Sequence, residues 1–467
     1  MIKRFLLLLI LAPITLSVCA QGVTGDWYGN LIVKGTALPL VFHVSQSGDT
    51  YTTTWDSPQQ GARGLATDQT TVTGNQLTIQ ASKFGISYSG TYLPDSNKIR
   101  GTFKQGAGSF PLVLSHNSML AVATASTSRP QDPKDFPYKR EEISFENPKG
   151  GNKLAGTLTI PSDGKATKIV VLITGSGPQN RDEELLGHRP FLVWSDWLTR
   201  HGIAVLRYDD RGIGQSTGIF GTATSADFAD DAEAAVTYIQ SRPDLKNLSI
   251  GLMGHSEGGL IAPMVASRNK AVKFIVLLAG PGVPIIDLMT KQTEDQTRVS
   301  GAPESVVKMA AERNRKLYSV VVDNPTLTTV QLKPVVDSAV YKQFRSEQPT
   351  ISNQALQQTA AAYQALLTPW MRYFLTVKPA DYLTKVKCPV LALDGSKDMQ
   401  VDAVSNLAGI KADLEKAGNK HFETVLLPDL NHLMQKANTG ALSEYSTIAE
   451  TVDPIALEKV AGWINQL

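Results

Sequence analysis

The chain has 467 residues, with 45 basic against 43 acidic side chains and a formal net charge of +2. A chain of this length is too long for one ordinary domain, and we expect two or three. The near-neutral balance argues against nucleic acid or any other strongly charged partner.

The first 20 residues have the pattern of a secretory signal peptide. Lys3 and Arg4 precede an apolar run over 5–18, and small residues follow before Gln21. We therefore predict an exported protein, periplasmic or extracellular, that is cleaved before Gln21. The apolar run is too short for a comfortable transmembrane helix, and no later run is long enough, so no stable membrane span is expected. Lipidation at Cys19 remains the alternative.

The only other cysteine is Cys388, beside Pro389 at the start of an apolar strand. A mature chain without Cys19 cannot form an internal disulfide, so a large buried core must stabilise it. We expect Cys388 to be a buried small apolar residue rather than a reactive thiol.

The segment 21–120 has short alternating apolar runs broken by Gly, Asn, Asp and Ser. This spacing predicts a small all-β domain, either an antiparallel barrel or a sandwich. The predicted strands are 27–33, 38–44, 51–55, 76–80, 86–92, 99–103 and 110–114.

Five aromatic residues of this domain allow two interpretations. They can form the core of the barrel, which is the commoner role of alternating aromatics, or an exposed surface for a glycan or envelope partner. The five are Trp27, Tyr28, Trp55, Tyr88 and Tyr92.

Residues 121–140 are rich in Ala, Ser, Thr and then Pro, and we predict an extended linker. From 141 to 467 apolar strands alternate with helical patterns, which predicts a doubly wound α/β sheet. The predicted strands are 168–174, 202–208, 248–253, 272–280, 388–394 and 422–427, and the helices between them include 191–200, 226–239 and 259–267.

About a hundred residues separate the strand that ends at Gly280 from the strand that begins at Cys388. Helical patterns dominate this insertion, including 304–318 and 354–367. A long insertion at the carboxyl edge of a sheet commonly covers the functional site, so we predict a helical cap at about 285–375.

The spacing Gly254-x-Ser256-x-Gly258 lies between a buried strand and a helix. It matches the nucleophile elbow, in which a sharp turn exposes the serine oxygen. The glycines are needed because a Cβ there would collide with neighbouring backbone. We therefore predict Ser256 as a nucleophile.

A serine nucleophile needs a histidine base and an acid to orient that base. After this elbow the acid comes first in the chain and the histidine second. His432 fits because it follows the strand 422–427, whereas His421 stands at the wrong end of that strand. For the acid we favour Asp398, with Asp402 as the alternative, and assign Asp394 to the turn.

The oxyanion that forms during acyl transfer needs hydrogen-bond donors. We predict the backbone N–H of Glu257 and, from the loop 175–179, that of Ser176, with Gly177 as the alternative. The role of the Glu257 side chain is left open. Asp210 and Arg211 are expected to form a structural pair. The loop has neither phosphate-binding nor dinucleotide-binding spacing, so neither a cofactor nor a metal is expected.

With these motifs in order, the region from about 141 to the end resembles the α/β-hydrolase superfamily. The segments 173–182 and 254–259 are similar to those of exported bacterial carboxylesterases that carry a β-rich domain before the hydrolase domain. The resemblance implies an α/β-hydrolase sheet with a helical cap, a triad of Ser256, Asp398 and His432, and small ester substrates with short acyl chains. Thr174 departs from the histidine that many relatives have there.

Three functions remain open on the sequence. The first is a serine esterase, and the second is a peptidase that uses the same triad on short peptides or aminoacyl amides. The third is a glycan-binding or envelope-binding protein on a hydrolase scaffold, because fold alone does not define function.

Overall fold

The computed structural model describes residues 22–33, 36–57, 62–105, 108–116 and 129–467. The chain forms two compact units that divide between Thr124 and Ala125. The predicted signal peptide, Cys19 and the first part of the predicted linker lie outside the described residues and stay predictions. No helix within the described ranges is long and apolar enough to cross a membrane.

The first unit is an antiparallel barrel. Eight strands pair in the order β2-β1-β9-β8-β7-β6-β5-β3, and pairing of β2 with β3 closes the ring, while β4 extends from β3. The barrel form of the prediction is therefore confirmed. The strands are β1 (Gly25–Val33), β2 (Thr36–Ser47), β3 (Thr50–Ser57), β4 (Ala62–Ala66), β5 (Gln69–Thr73), β6 (Gln76–Ala81), β7 (Ile86–Leu93), β8 (Lys98–Gln105) and β9 (Gly108–Ser115).

Aromatic side chains fill the barrel core. Trp27, Trp55 and Tyr88 are buried, and the indole N–H of Trp27 donates to the Val23 carbonyl over 2.7 Å. Core packing therefore explains three of the five aromatics that motivated the glycan hypothesis. Tyr28 and Tyr92 are only partly exposed.

Two barrel strands, β4 and β5, were not predicted. Each has only five residues, and neither alternates apolar with polar side chains in the pattern that predicts a strand. β4 is held in an extended conformation by pairing with β3, and β5 by pairing with β3 and β6, although their own sequences do not encode a strand.

The second unit contains a mixed eight-stranded sheet in the order β10-β11-β13-β12-β14-β15-β16-β17. The six strands from β13 to β17 along this order are parallel, and the hairpin of β10 and β11 adds an antiparallel edge. This hairpin was not predicted, because the sequence of β10 is mostly polar. The strands are β10 (Lys139–Asn147), β11 (Asn152–Ile160), β12 (Lys168–Ile173), β13 (Ala204–Tyr208), β14 (Ser249–His255), β15 (Val272–Leu278), β16 (Val390–Gly395) and β17 (Phe422–Leu427).

Helices cover both faces of this sheet. Along β12, Val171 and Ile173 belong to one buried cluster and Val170 and Leu172 to another, because successive side chains of a strand point to opposite faces. This doubly wound arrangement was predicted and is confirmed. The helices outside the cap are α1 (Pro190–Arg200), α2 (Ser225–Ser241), α3 (Glu257–Ala266), α9 (Ala380–Leu383), α10 (Ala403–Lys416), α11 (Leu442–Tyr445) and α12 (Pro454–Gln466).

The insertion between β15 and β16 is helical, as predicted. Its interior joins the larger buried cluster of the sheet domain through residues such as Leu288, Leu317 and Phe374. The predicted helix over 354–367 is an α-helix only to Ala362, after which a 3₁₀ turn follows. The cap helices are α4 (Ile285–Val299), α5 (Glu304–Val322), α6 (Thr329–Glu347), α7 (Asn353–Ala362) and α8 (Pro369–Phe374).

Trp27→Ala is expected to destabilise the barrel by about 3–5 kcal/mol, because it removes a large buried side chain and leaves a cavity. Hydrogen exchange of barrel peptides should accelerate accordingly. Thr52→Ala, at an exposed position of β3, is the matched control and should leave exchange nearly unchanged. Equal exchange in the two variants would contradict the assignment of Trp27 to the core.

Candidate active site

Ser256 lies at the junction of β14 and α3 in a strained backbone conformation, with φ 53° and ψ −117°. A non-glycine residue rarely adopts a positive φ, and such residues concentrate at functional sites. The Ser256 N–H donates to the Leu278 carbonyl over 2.8 Å. Tight backbone contacts therefore hold this turn, which has the geometry of a nucleophile elbow.

The two flanking glycines allow those contacts. A Cβ on Gly254 would lie 1.9 Å from the Gly258 carbonyl oxygen, and a Cβ on Gly258 would lie 2.1 Å from the Ile173 carbonyl oxygen. Neither distance is compatible with any side chain. The glycines thus bring α3, β14 and the end of β12 together behind the serine.

The structure brings His432 and Asp398 together. The ring Nδ1 of His432 donates to Asp398 Oδ2 over 2.6 Å, and both residues are buried. The other carboxylate oxygen accepts the N–H groups of Gln400 and Val401 at 2.7 and 2.8 Å. Burial alone would raise the pKa of Asp398, but His432 and these donors hold it below its usual value.

The two rival acids have other partners. Asp402 begins α10, where its carboxylate accepts the Ser405 N–H over 2.9 Å as a helix N-cap. Asp394 ends β16 and accepts the adjacent Gly395 N–H over 2.7 Å, and burial raises its pKa well above the ordinary value. Asp398 is therefore the acid of this loop that contacts His432.

Asn431 shapes the histidine loop, a role that the sequence analysis missed. It is fully buried, and its side-chain oxygen accepts the N–H groups of Leu433 and Gln435, both at 3.0 Å. Asparagine commonly caps backbone turns in this way, so its position before His432 was a usable signal.

Asp210 anchors the loop after β12. The buried carboxylate of Asp210 accepts the Thr174 hydroxyl over 2.8 Å and the Gln179 N–H over 2.9 Å. The hydroxyl of Thr174 thus fixes the start of this loop. The expected pairing of Asp210 with Arg211 is wrong, because Arg211 Nε donates to Asp231 over 2.6 Å.

Ser176 and Gly177 occupy different positions in this loop. Ser176 borders the same cavity as Ser256, whereas Gly177 lines a smaller pocket next to it. Glu257 begins α3, and the first N–H groups of a helix have no partner within the helix. The loop and the helix start are therefore arranged around the space beside Ser256.

A second buried acid and histidine lie next to this group, and the sequence analysis did not identify them as a pair. Glu183 Oε1 accepts the Gly175 N–H over 2.7 Å and contacts His255 Nδ1 at 2.9 Å. His255 Nε2 donates to the backbone carbonyl of His432 over 2.9 Å. Glu183 and His255 therefore connect the loop after β12 to the histidine loop.

Both ring nitrogens of His255 face oxygen acceptors, which favours the doubly protonated ring. Burial alone would lower the pKa of His255, but the charge of Glu183 and the two hydrogen bonds raise it above 6.5. The rings of His255 and His432 lie 4.7 Å apart. A buried ion pair thus supports the backbone beneath His432.

The side chain of Glu257, left open by the sequence, is buried with 2% of its surface exposed. Its Oε1 accepts the Ser225 hydroxyl over 2.6 Å and the indole N–H of Trp370 over 2.8 Å. Burial raises the pKa of Glu257, while these hydrogen bonds lower it. Trp370 belongs to α8, so this side chain joins the elbow to the cap.

These groups surround a cavity of about 200 Å³. The sheet domain contributes Ser176, Ser256, Glu257 and His432 to its lining. The cap contributes mainly apolar side chains, which are Leu288, Met289, Trp370 and Phe374. Ser256 and His432 therefore border one partly apolar space, and Asp398 contacts His432 without lining that space.

Cys388 does not line this cavity. Cys388 is a free thiol of intermediate exposure, and burial raises its pKa to about 11, which disfavours the reactive thiolate. Among the described residues, no cluster of His, Cys, Asp and Glu side chains could hold a metal ion.

The sheet order, the elbow after β14 and the chain order of Ser256, Asp398 and His432 define an α/β hydrolase. Residues 192–436, just over half of the chain, match the family model described as serine aminopeptidase, S33. The chain belongs to this family.

Named relatives include esterases. The chain is 24% identical to Esterase EstD of Thermotoga maritima over 336 residues, which cover 71% of this chain and 68% of that protein. A structure of the Pyrococcus furiosus esterase Pf2001 is 17% identical and covers 72% of this chain and 95% of that one, with a TM-score of 0.42. Est1E from Butyrivibrio proteoclasticus, solved with ferulic acid, is also 17% identical, covering 68% and 99%, with a TM-score of 0.39.

Glu183→Gln is expected to lower the free energy of unfolding by about 2 kcal/mol at low pH, because it removes the counter-ion of His255. A histidine whose pKa is raised on folding stabilises the protein below about pH 6.5, and this stabilisation is lost as pH rises through the raised pKa. The difference from wild type in denaturant titrations should therefore be largest near pH 5 and shrink towards pH 9.

The neighbouring Glu184→Gln is the matched control, since Glu184 is exposed. Asp398 and His432 also face His255 and are unchanged in both variants. A stability difference for Glu183→Gln that does not vary with pH would contradict the ion pair.

Proposed function

We propose that the protein is a serine carboxylesterase in which Ser256 is the nucleophile, His432 the general base and Asp398 the acid that orients it. The observation that carries the proposal is the 2.6 Å hydrogen bond between Asp398 and His432 beside the cavity that the strained Ser256 borders. A carboxylate on Nδ1 leaves Nε2 available to take the serine proton. The esterases among the relatives agree with this choice of reaction.

The reaction proceeds in two halves. Ser256 Oγ attacks the ester carbonyl carbon while His432 takes the hydroxyl proton, and the backbone N–H groups of Glu257 and Ser176 stabilise the oxyanion. The tetrahedral intermediate then breaks its bond to the alkoxy oxygen, which leaves as an alcohol with the proton from His432. Water, deprotonated by His432, attacks the acyl-enzyme and releases the carboxylic acid and free serine.

The cavity favours small uncharged acyl groups. Its volume of about 200 Å³ is below the range of about 300–1,000 Å³ typical of pockets for drug-sized ligands. Its lining contains Glu183 and Glu257 but neither lysine nor arginine. Both ring nitrogens of His255 are already bound to Glu183 and to the His432 carbonyl, so an acyl group that carries its own carboxylate would be buried without a free cationic partner, which is costly.

Peptidase activity is the second candidate, and the family description favours it. The same triad cleaves amides, with His432 protonating the leaving amine instead of an alcohol. Amides are less reactive than esters, so efficient amide cleavage requires contacts that position the leaving amine.

Ser256→Ala and Asp398→Asn are expected to reduce kcat for p-nitrophenyl butyrate by about 10⁴-fold, because they remove the nucleophile and the group that fixes the base. Asp402→Asn is the matched control. Asparagine caps a helix as well as aspartate, so activity should stay within roughly twofold of wild type. Full activity in Ser256→Ala would overturn the mechanism, and a large loss in Asp402→Asn would favour the alternative acid.

Paired substrates with the same acyl group distinguish the two activities. We expect kcat/KM for alanine p-nitrophenyl ester to exceed that for alanine p-nitroanilide by about 10³-fold or more, because an anilide is less reactive than an ester towards the same nucleophile. Comparable values for the two substrates, both abolished in Ser256→Ala, would instead assign the protein as a peptidase.

A further inference from the structure

A buried glutamate is energetically unfavourable at position 257. We therefore expect its side chain to have a specific function. Glu257 directly follows Ser256, its N–H is one of the proposed oxyanion donors, and the residue is buried with 2% of its surface exposed. A negative charge at this distance opposes the charge that develops on the oxyanion. Burying a carboxyl group without partners is also costly.

The partners of this carboxyl group come from the sheet domain, where they include the Ser176 side chain, and from the cap. Ser225, the first residue of α2 and fully buried, donates its hydroxyl to Oε1. Trp370 of cap helix α8 donates its indole N–H to the same oxygen over 2.8 Å. Ser225 fixes the side chain from the sheet domain, so Glu257 presents a rigid acceptor to the cap.

Trp370 in turn forms part of the aromatic wall of the cavity. Its ring stacks on Phe374, with ring centroids 4.9 Å apart and planes inclined by 16°. Both rings border the cavity together with Leu288 and Met289 of α4. An indole has one N–H donor and two side-chain torsions, so one hydrogen bond and one stacking contact together fix its plane.

We propose that Glu257 and Trp370 form a latch between the elbow and the cap, and that the latched indole sets the maximum length of the acyl group that reaches Ser256. The substrate class of the site is then esters of short, uncharged acyl groups, with Trp370 as the specificity-determining residue and Glu257 as its positioning residue. This inference rests on the proposed esterase function.

The hydrogen bond is what makes the wall selective. An apolar side chain at 370 would be held only by packing, and a longer acyl chain could displace it by moving α8. With the indole N–H bound to Glu257, the same displacement breaks one of the hydrogen bonds to a buried carboxyl group and leaves the indole N–H without that acceptor. Esters with longer acyl chains should therefore lose more kcat/KM than the extra volume of the chain alone would cause.

The test measures kcat/KM for p-nitrophenyl acetate, butyrate, hexanoate, octanoate and decanoate with full-length wild type, Trp370→Ala and Trp370→Phe. Trp370→Ala removes the wall and should raise the ratio of octanoate to acetate by about tenfold or more, the scale on which apolar pockets discriminate between chain lengths. Trp370→Phe keeps a ring but lacks the N–H, so its ratio should rise by a smaller factor, with a higher KM for short esters.

Glu257 variants separate the latch from simple filling of space. Glu257→Gln keeps an oxygen that can accept the indole N–H and should retain the chain-length ratio of wild type. Glu257→Ala should shift that ratio as Trp370→Phe does, and the double variant Glu257→Ala/Trp370→Phe should shift it no further, because both changes break one interaction. Additive shifts would overturn the latch.

Tyr373→Phe is the matched control on the same helix, since the Tyr373 hydroxyl contacts Tyr382 at 3.4 Å and does not line the cavity. Its chain-length ratio should equal that of wild type, and circular dichroism of every variant should match. An unchanged ratio in both Trp370→Ala and Trp370→Phe, with turnover still abolished by Ser256→Ala, overturns the latch alone. Turnover of no ester, or turnover independent of Ser256, overturns the proposed function instead.

Discussion

The close backbone contact behind Ser256 is the constraint on which the rest of the site depends. Gly258 lies directly against the end of β12, and Gly254 against Gly258, so strand, turn and helix can meet only where these residues lack side chains. This contact forces the positive φ of Ser256 and places the start of α3 beside the serine. The strain is sustained because the buried strands β12, β14 and β15 hold the backbone around the turn.

The loop after β12 and the loop that carries His432 lie outside the hydrogen-bonded sheet. Buried polar groups fix their positions. Asp210 holds the loop after β12, Glu183 joins that loop to His255, and His255 supports the backbone of His432. Each bond satisfies a group that would be costly to bury alone. The loops thus acquire a rigidity that loops at a sheet edge otherwise lack, and reacting groups positioned in this way need little rearrangement during the reaction.

The sequence predicted those parts of the fold that have local signatures. The apolar strands of the sheet, the elbow glycines and the helical patterns of the cap are each encoded within a few residues, and the structure contains them. The strands β4 and β5 are too short to show an apolar alternation, and β10 is too polar. The partner of Arg211 lies in another element. Glu183 and His255, 72 positions apart, meet only through the tertiary fold, so spacing could not identify them.

The environment of each buried acid also explains why Asp398, rather than a neighbour, suits an ionised role. Burial raises the pKa values of Asp210, Glu257 and Asp394, and their hydrogen bonds do not compensate for it. Asp398 is buried as well, but His432 and two backbone N–H groups stabilise its charged form, and its pKa is lowered. Asp394 lies in β16 and Asp398 follows four positions later in the next loop, and the donors around each decide which one keeps its charge. Hydrogen bonding therefore identifies Asp398 as the acid. The order of residues in the chain narrows the choice to a few neighbouring aspartates but does not make it.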